Sequence, residues 1–171
     1  AGLKEVADFE ISVAAYPETH PEAFCAEQDL DNLKRKLDAG ATRAITQFFF
    51  NPDAYFHFVE ATKKLGADVP VTAGIMPFHN YARIAQFAQR DGIDIPRWVA
   101  MKMEGYVDDA ASIRAFGLDV ITSLCEKLIA GGAPLRFHQD NITLGGHAIE
   151  VRINAEDSSN GFMPFPGKVG D

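Results

Sequence analysis

The sequence has little cysteine and no long apolar run, and each absence excludes a class of protein. Only Cys25 and Cys125 occur in 171 residues, with no CxxC pair and no Cys/His spacing typical of zinc. We therefore expect reduced thiols, no disulfide framework and no metal site. No uninterrupted apolar stretch reaches the roughly 18 residues of a membrane span, and the N-terminal residues lack a secretory signal pattern. These absences predict a cytoplasmic protein.

Basic residues are also in the minority. The chain has 16 Lys and Arg against 24 Asp and Glu, which gives a formal net charge of −8. Nucleic acids and anionic membranes attract clustered Lys and Arg, so this balance argues against both partners. Hydrophobic residues make up 47% of the chain, enough for a globular domain to bury a core. We expect the ligand to be a small molecule.

Short apolar runs alternate with segments of helical period. The predicted strands cover residues 9–16, 44–50 and 69–76. The predicted helices begin near Ala26, Asn51, Asn80, Pro96 and Asp108. Near-continuous apolar strands separated by helices predict an α/β fold with a parallel sheet and right-handed crossovers. A barrel and a doubly wound sheet would both give this pattern.

The character of the sequence changes near residue 134. The segment 135–171 contains Gly145-Gly146, an apolar–polar alternation over residues 147–153 and a loop-like end, without helical period. We therefore place a domain boundary at residue 134. A short β-rich tail is expected after it.

The segment YPETHPEA, which directly follows the first predicted strand, is a candidate ligand rim. Tyr16 and His20 lie in it between prolines that stiffen the loop. In α/β proteins this end of a strand is where binding sites form. The position also fits a rigid connecting turn with a surface histidine. The residue pattern leaves both interpretations open.

One face of the next predicted helix is polar. Asp29, Asn32 and Lys36 lie on it, opposite a leucine face, with Arg35 beside them. Such a face commonly points to solvent. The mixture of acceptors, an amide and two cations could also bind ribose hydroxyls and a pyrophosphate together.

Gln47 is a polar residue inside an apolar predicted strand. A buried amide needs hydrogen-bond partners, so Gln47 is either a satisfied core group or a group that reads a heterocycle such as a pterin. Phe48, Phe49 and Phe50 are more typical of the core, and Phe87 can pack or stack. No GxGxxG, P-loop, GxSxG or HExxH motif is present, so these patterns alone assign no mechanism.

Three segments resemble bacterial methylenetetrahydrofolate reductase in the same order: ISVAAYPETHPEAF, DLDNLKRKLDAGATRAITQFFFNPDAYFHFVE, and GIMPFHNYARIAQFAQ with the following IPRW. That family is a (β/α)8 TIM barrel that binds FAD and uses NADH to reduce methylenetetrahydrofolate to methyltetrahydrofolate for methionine biosynthesis. The resemblance implies that residues 1–134 form about the second half of such a barrel. It also implies an oxidoreductase and flavoprotein of one-carbon metabolism, with FAD as cofactor, NADH as co-substrate and a folate as substrate.

Carried over position by position, the resemblance implies individual site residues. The positions that match FAD-lining residues are Tyr16, His20, Ala23, Asp29, Asn32, Arg35 and Lys36. The positions that match substrate-binding residues are Gln47, Phe87 and Arg83, where some relatives have glutamine in place of Arg83. The family's general-acid glutamate and the aspartate near flavin N1 lie in its first and fourth strands, which would precede Ala1. We therefore assign no catalytic residue to this chain.

The tail resembles a second family. GHAIEVRINAED and the following FMPFPGK are similar to the C-terminal part of biotin carboxylase, in which the residue matching Arg152 lies near bicarbonate and biotin. We expect a reductase fragment, incomplete for catalysis alone, joined at residues 135–171 to a biotin carboxylase-like segment. The alternatives are a non-catalytic chimeric or engineered α/β scaffold, and a biotin carboxylase-derived fragment. Open sheet edges predict self-association or pairing with a complementary half-barrel, and LRFHQD is a candidate terminal strand.

Overall fold

The computed structural model describes residues 2–67 and 69–131, together with 156–157 and 163–164. The chain divides into two compact units, Ala1–Pro134 and Leu135–Asp171. The strands of the first unit are β1 (Ser12–Ala15), β2 (Arg43–Phe48) and β3 (Val71–Gly74). Its helices are α1 (Gly2–Val6), α2 (Ala26–Asp38), α3 (Pro52–Lys64), α4 (Tyr81–Asp91), α5 (Arg97–Tyr106) and α6 (Ala110–Gly131).

The three strands of the first unit form a parallel sheet in the order β1-β2-β3. A helix follows each strand, which confirms the predicted α/β fold with a parallel sheet. The observed strands are shorter than the predicted ones because apolar residues beyond their ends, such as Phe49 and Phe50, pack in the core without pairing in the sheet. The sequence pattern predicted no helix at α1.

Side-chain caps fix where two of the helices begin. Asn51 Oδ1 accepts a hydrogen bond from the Asp53 backbone N–H at 3.0 Å, and Asn80 Oδ1 accepts one from the Arg83 N–H at 2.9 Å. Both predicted starts are confirmed. Gly92 ends α4 with φ of 70°, a left-handed conformation that glycine adopts without steric cost.

The core lies between the sheet and its helices. A smaller cluster joins Ala15 and Ala44 of the sheet to Leu33 of α2 and Phe58 of α3. A larger cluster contains the predicted core phenylalanines 48–50, with the apolar faces of α4, α5 and α6 packed around them. Phe49, at 1% exposure, is among the most deeply buried side chains. The sheet is thus covered by helices on one face.

The opposite face of the sheet is open in the part of the chain that the structure describes. Ser12, Ala14 and Thr72 are exposed on it, and Ile45 keeps 44% of its surface in solvent although its neighbours Ala44 and Thr46 are buried. In a closed barrel this face would line the interior. Of the helices in the described ranges, none combines the length and apolarity needed to cross a membrane.

In the second unit the structure describes two short antiparallel strands, β4 (Glu156–Asp157) and β5 (Met163–Pro164). The predicted strand at residues 147–153, the candidate strand LRFHQD and Arg152 lie outside the described residues. The prediction of a β-rich tail is therefore supported at these four residues, and the rest of the tail lies outside the described residues.

Candidate functional site

A cleft of about 530 Å³ lies beside the carboxyl end of β1. Its volume falls within the range of small-molecule pockets, roughly 300–1,000 Å³. The residues that line it are Tyr16, His20, Glu22, Ala23, Asp29, Asn32, Arg35, Lys36 and Ala39. All seven predicted cofactor positions are therefore brought together in one place. The sequence pattern did not indicate Glu22 or Ala39, and Ala39, directly after the end of α2, has only a methyl side chain and so carries no polar signal.

The loop after β1 forms one wall of the cleft. The rings of Tyr16 and His20 meet edge to face, with centroids 4.5 Å apart. The His20 backbone N–H donates to Asp29 Oδ2 at 2.8 Å, and the Glu22 N–H donates to His20 Nδ1 at 3.1 Å. Because Nδ1 accepts this bond, the neutral ring carries its proton on Nε2. The bond to Nδ1 therefore orients the His20 ring, and the Tyr16 ring packs against it.

Helix α2 forms the facing wall. Leu33 is buried against the sheet, so the polar face on the other side of the helix turns toward the cleft. The Arg35 guanidinium donates to Asn32 Oδ1, and Lys36 Nζ donates to the Ala14 carbonyl at 3.1 Å. Arg35 and Lys36 are exposed, and each has a donor-rich head available at the rim of the cleft. The polar face of α2 is therefore in contact with solvent and also lines the cleft.

The segment directly after α4 packs against the loop that follows β1. A Cβ built on Gly92 would lie 3.3 Å from Pro21 Cγ, and the Asp94 N–H donates to Glu18 Oε2 at 3.2 Å. Burial raises the pKa of the Glu18 carboxyl, and the bond from Asp94 partly opposes that rise. The loop therefore contains a carboxylate whose ionisation opposes folding.

This raised pKa predicts a pH dependence of stability. The folded chain holds the Glu18 proton more tightly than the unfolded chain, so the contribution of this group is full below the unfolded pKa and is lost as pH rises through the folded pKa. We expect the free energy of unfolding of wild type, relative to Glu18→Gln, to fall as pH rises from the ordinary glutamate pKa, about 4.3, through the raised pKa of the folded chain. Urea unfolding at several pH values measures it. A difference that stays constant with pH would contradict the assignment.

Gln47 lies at a second cavity, of about 310 Å³, which also contacts Tyr16. The Gln47 Nε2 donates to Asp91 Oδ2 at 3.0 Å, and its Oε1 accepts from the Phe48 N–H at 3.0 Å. The side chain is half-buried. Gln47 is therefore a satisfied polar group that also lines a cavity, and its recognition of a heterocycle stays a prediction.

The other two predicted substrate residues lie apart from Gln47. Phe87 and Arg83 line a third cavity, of about 180 Å³, beyond the carboxyl end of β3. Two guanidinium groups lie over the Phe87 ring, that of Arg83 at 5.5 Å and that of Arg90 at 5.2 Å from its centroid. Arg90 is in turn paired with Asp91. The three substrate candidates thus occupy two cavities.

Burial and neighbouring charges both favour the neutral form of Tyr16. Burial raises the pKa of the Tyr16 hydroxyl, and the nearby carboxylates of Asp91 and Asp29 raise it further. Tyr16 is therefore a protonated phenol at neutral pH, able to donate a hydrogen bond. It lines both the first and the second cavity.

This chain is similar to known proteins over most of its length. A family model described as methylenetetrahydrofolate reductase matches residues 2–151. The 5,10-methylenetetrahydrofolate reductase of Escherichia coli (strain K12) is 47% identical over 130 residues, which cover 76% of this chain and 44% of the relative. That of Buchnera aphidicola subsp. Schizaphis graminum is 39% identical over 136 residues, 80% of this chain and 46% of the relative. The chain spans less than half the length of these curated relatives.

One solved structure extends the comparison. An uncharacterized protein from Clostridium thermocellum, described as binding two copies of 5-methyl-5,6,7,8-tetrahydrofolic acid, is 21% identical and aligns with a TM-score of 0.48 over 74% of this chain and 45% of its own. The family model runs past residue 134, where the sequence pattern placed a boundary, and no finding shows a biotin carboxylase-like segment. By the match over residues 2–151, this chain belongs to the methylenetetrahydrofolate reductase family.

Proposed function

We propose that residues 1–134 form the FAD-binding and folate-binding half of a methylenetetrahydrofolate reductase barrel. The observation that carries the proposal is that all seven positions matched to FAD-lining residues border one cleft. The groups there suit a dinucleotide. Arg35 and Lys36 supply cationic donors for a pyrophosphate, and Asp29 and Asn32 supply oxygen acceptors for hydroxyls. When bound, FAD supplies hydride transfer.

The residues of this chain would bind and orient the reactants. Arg35 and Lys36 hold the pyrophosphate, and Tyr16, packed edge to face on His20, also lines the second cavity. Gln47 reads the folate heterocycle with the amide N–H and lone pair that its own hydrogen bonds leave over. The reduction of methylenetetrahydrofolate to methyltetrahydrofolate with NADH as co-substrate is proposed for the completed barrel, since no general acid is assigned within this chain.

The open face of the sheet supports the proposal that this chain is one half of a completed barrel. Ile45 and Ala14 expose apolar surface on β2 and β1, where a closed barrel would bury it. We propose that a complementary half-barrel, or a second copy of this chain, covers this face.

The test is to mix the purified chain with FAD and to follow the quenching of flavin fluorescence, then to add NADH without oxygen and record the flavin absorbance. We expect flavin to co-purify with the chain through gel filtration. Absence of bound flavin would favour the non-catalytic scaffold instead. Sedimentation of the same sample tests pairing with a second copy, because a flavin-bound monomer would contradict that pairing, leave a complementary half-barrel as the proposed cover and leave the flavin site standing.

A further inference from the structure

The last two residues of α4, Arg90 and Asp91, connect two of the three residues that the family resemblance assigns to substrate binding, Gln47 and Phe87. Asp91 accepts the hydrogen bond from Gln47 Nε2 at 3.0 Å. Its Oδ1 accepts from Arg90 Nε at 2.6 Å and its Oδ2 from Arg90 Nη2 at 2.8 Å. The same guanidinium lies 5.2 Å from the centre of the Phe87 ring. A continuous set of contacts therefore runs from Gln47 to Phe87.

The position of Asp91 is electrostatically unfavourable for a carboxylate. It is the final residue of α4, where the helix dipole disfavours negative charge. Its side chain is only 14% exposed, whereas that of Arg90 is 69% exposed. The helix already ends on Gly92, so Asp91 is not needed to stop it. The carboxylate is held there by Arg90, whose hydrogen bond keeps the pKa of Asp91 below its usual range.

These contacts decide how the Gln47 carboxamide points. An ionised carboxylate only accepts hydrogen bonds, so Asp91 must face the NH2 group of the amide. A backbone N–H only donates, so Phe48 must face the amide oxygen. Exchanging the oxygen and nitrogen of Gln47 would break both bonds. One N–H and one lone pair remain, in a fixed arrangement, for a ligand.

We propose that Asp91, held by Arg90, is a positioning residue that fixes the orientation of the Gln47 carboxamide for recognition of the folate heterocycle. Arg90 ties this orientation to the Phe87 ring. The identity of the ligand rests on the proposed function. The orientation of the amide does not, so the two can be tested separately.

The experiment records the side-chain amide signals of Gln47 by NMR in the 15N-labelled full chain, with the signals assigned by their loss in Gln47→Glu. We expect Asp91→Leu to move these signals to solvent-exposed positions and to lower the affinity for 5-methyltetrahydrofolate about ten-fold. Asp91→Asn keeps an acceptor oxygen, so it should shift the Gln47 signals less and lose less affinity for 5-methyltetrahydrofolate than Asp91→Leu. The matched control is Asp38→Asn at the end of α2, whose carboxylate pairs with Lys34 at 2.8 Å and does not reach Gln47.

Each outcome distinguishes the two claims. Unmoved Gln47 signals in Asp91→Leu would overturn the positioning, whether or not a folate binds. Moved signals with an unchanged folate affinity would overturn its part in recognition. Failure of wild type to bind 5-methyltetrahydrofolate would refute the proposed function, and the NMR result would still decide the orientation. Partial rescue by Asp91→Asn supports an acceptor role over a merely structural one, because it keeps the acceptor and removes the charge.

Discussion

Replacing Lys36 or Arg35 by methionine is expected to weaken FAD binding about ten- to a hundred-fold. Each cation lines the cleft beside Asn32, and a hydrogen bond from a charged donor to a pyrophosphate contributes about 1.5–3 kcal/mol. Methionine keeps the length and apolar stem of the side chain but removes the charge. Titration of each variant with FAD, followed by flavin fluorescence, measures the loss. Both cations are exposed, so the difference from wild type should shrink as salt is added.

Lys34→Met is the matched control for this prediction. Lys34 lies on the same helix and changes the net charge equally, but its Nζ bonds to Asp38 at 2.8 Å and it does not line the cleft. Thermal unfolding of each variant checks that loss of the Lys36 bond to the Ala14 carbonyl has not loosened the helix. Equal FAD affinity in Lys34→Met and Lys36→Met would contradict the proposal that Lys36 binds FAD.

Gly74→Ala is expected to destabilise the fold by about 3 kcal/mol, at the upper end of ordinary overpacking. A Cβ on Gly74 would lie 2.1 Å from the Thr46 carbonyl oxygen and 3.1 Å from its carbon. Both are backbone atoms of β2 and cannot rotate away, so β2 and β3 must separate. The bond from the Gly74 N–H to Thr46 Oγ1, now 2.9 Å, would be lost as well. Urea unfolding gives the free energy.

Gly105→Ala is the control for this second prediction. Gly105 lies in α5, and a Cβ there meets nothing within 4 Å. Alanine is favoured over glycine in helices, so the control should be neutral or stabilising by up to roughly 0.5–1 kcal/mol. A Gly74→Ala protein within about 0.5 kcal/mol of wild type would show that the strands can shift apart freely. Gln47 follows Thr46 on β2, so Gly74→Ala would also displace the side-chain amide of Gln47, which the family resemblance assigns to substrate binding.

Local signals in the sequence predicted the elements well and their ends less well. Asparagine caps at Asn51 and Asn80 set helix starts through bonds within three residues, which is why a sequence pattern can find them. Strand ends depend on pairing partners that are distant in sequence. Phe49 and Phe50 are apolar because they enter the core, and the pattern could not separate that from sheet pairing.

The site divides in the same way. The polar face of α2 follows from helical spacing, but the spacing left solvent and a ligand as open alternatives, because solvent-facing and ligand-facing sides have the same pattern. Only the family resemblance implied FAD. The position of Gln47 in an apolar strand predicted that its side-chain amide has a hydrogen-bond partner. The partner itself, Asp91, is 44 residues away in sequence, and no local spacing indicates it. Contacts of this range become visible only once the strand and helix are packed.

Tyr16 has a consequence for the shape of the binding region. Its ring is shared by the cleft on the α2 side and by the cavity that holds Gln47. A single aromatic side chain therefore borders both spaces, so a ligand in either one would touch the same ring. A substitution at Tyr16 is expected to change both cavities at once, whereas a substitution at Asn32 or Gln47 would change only one of them.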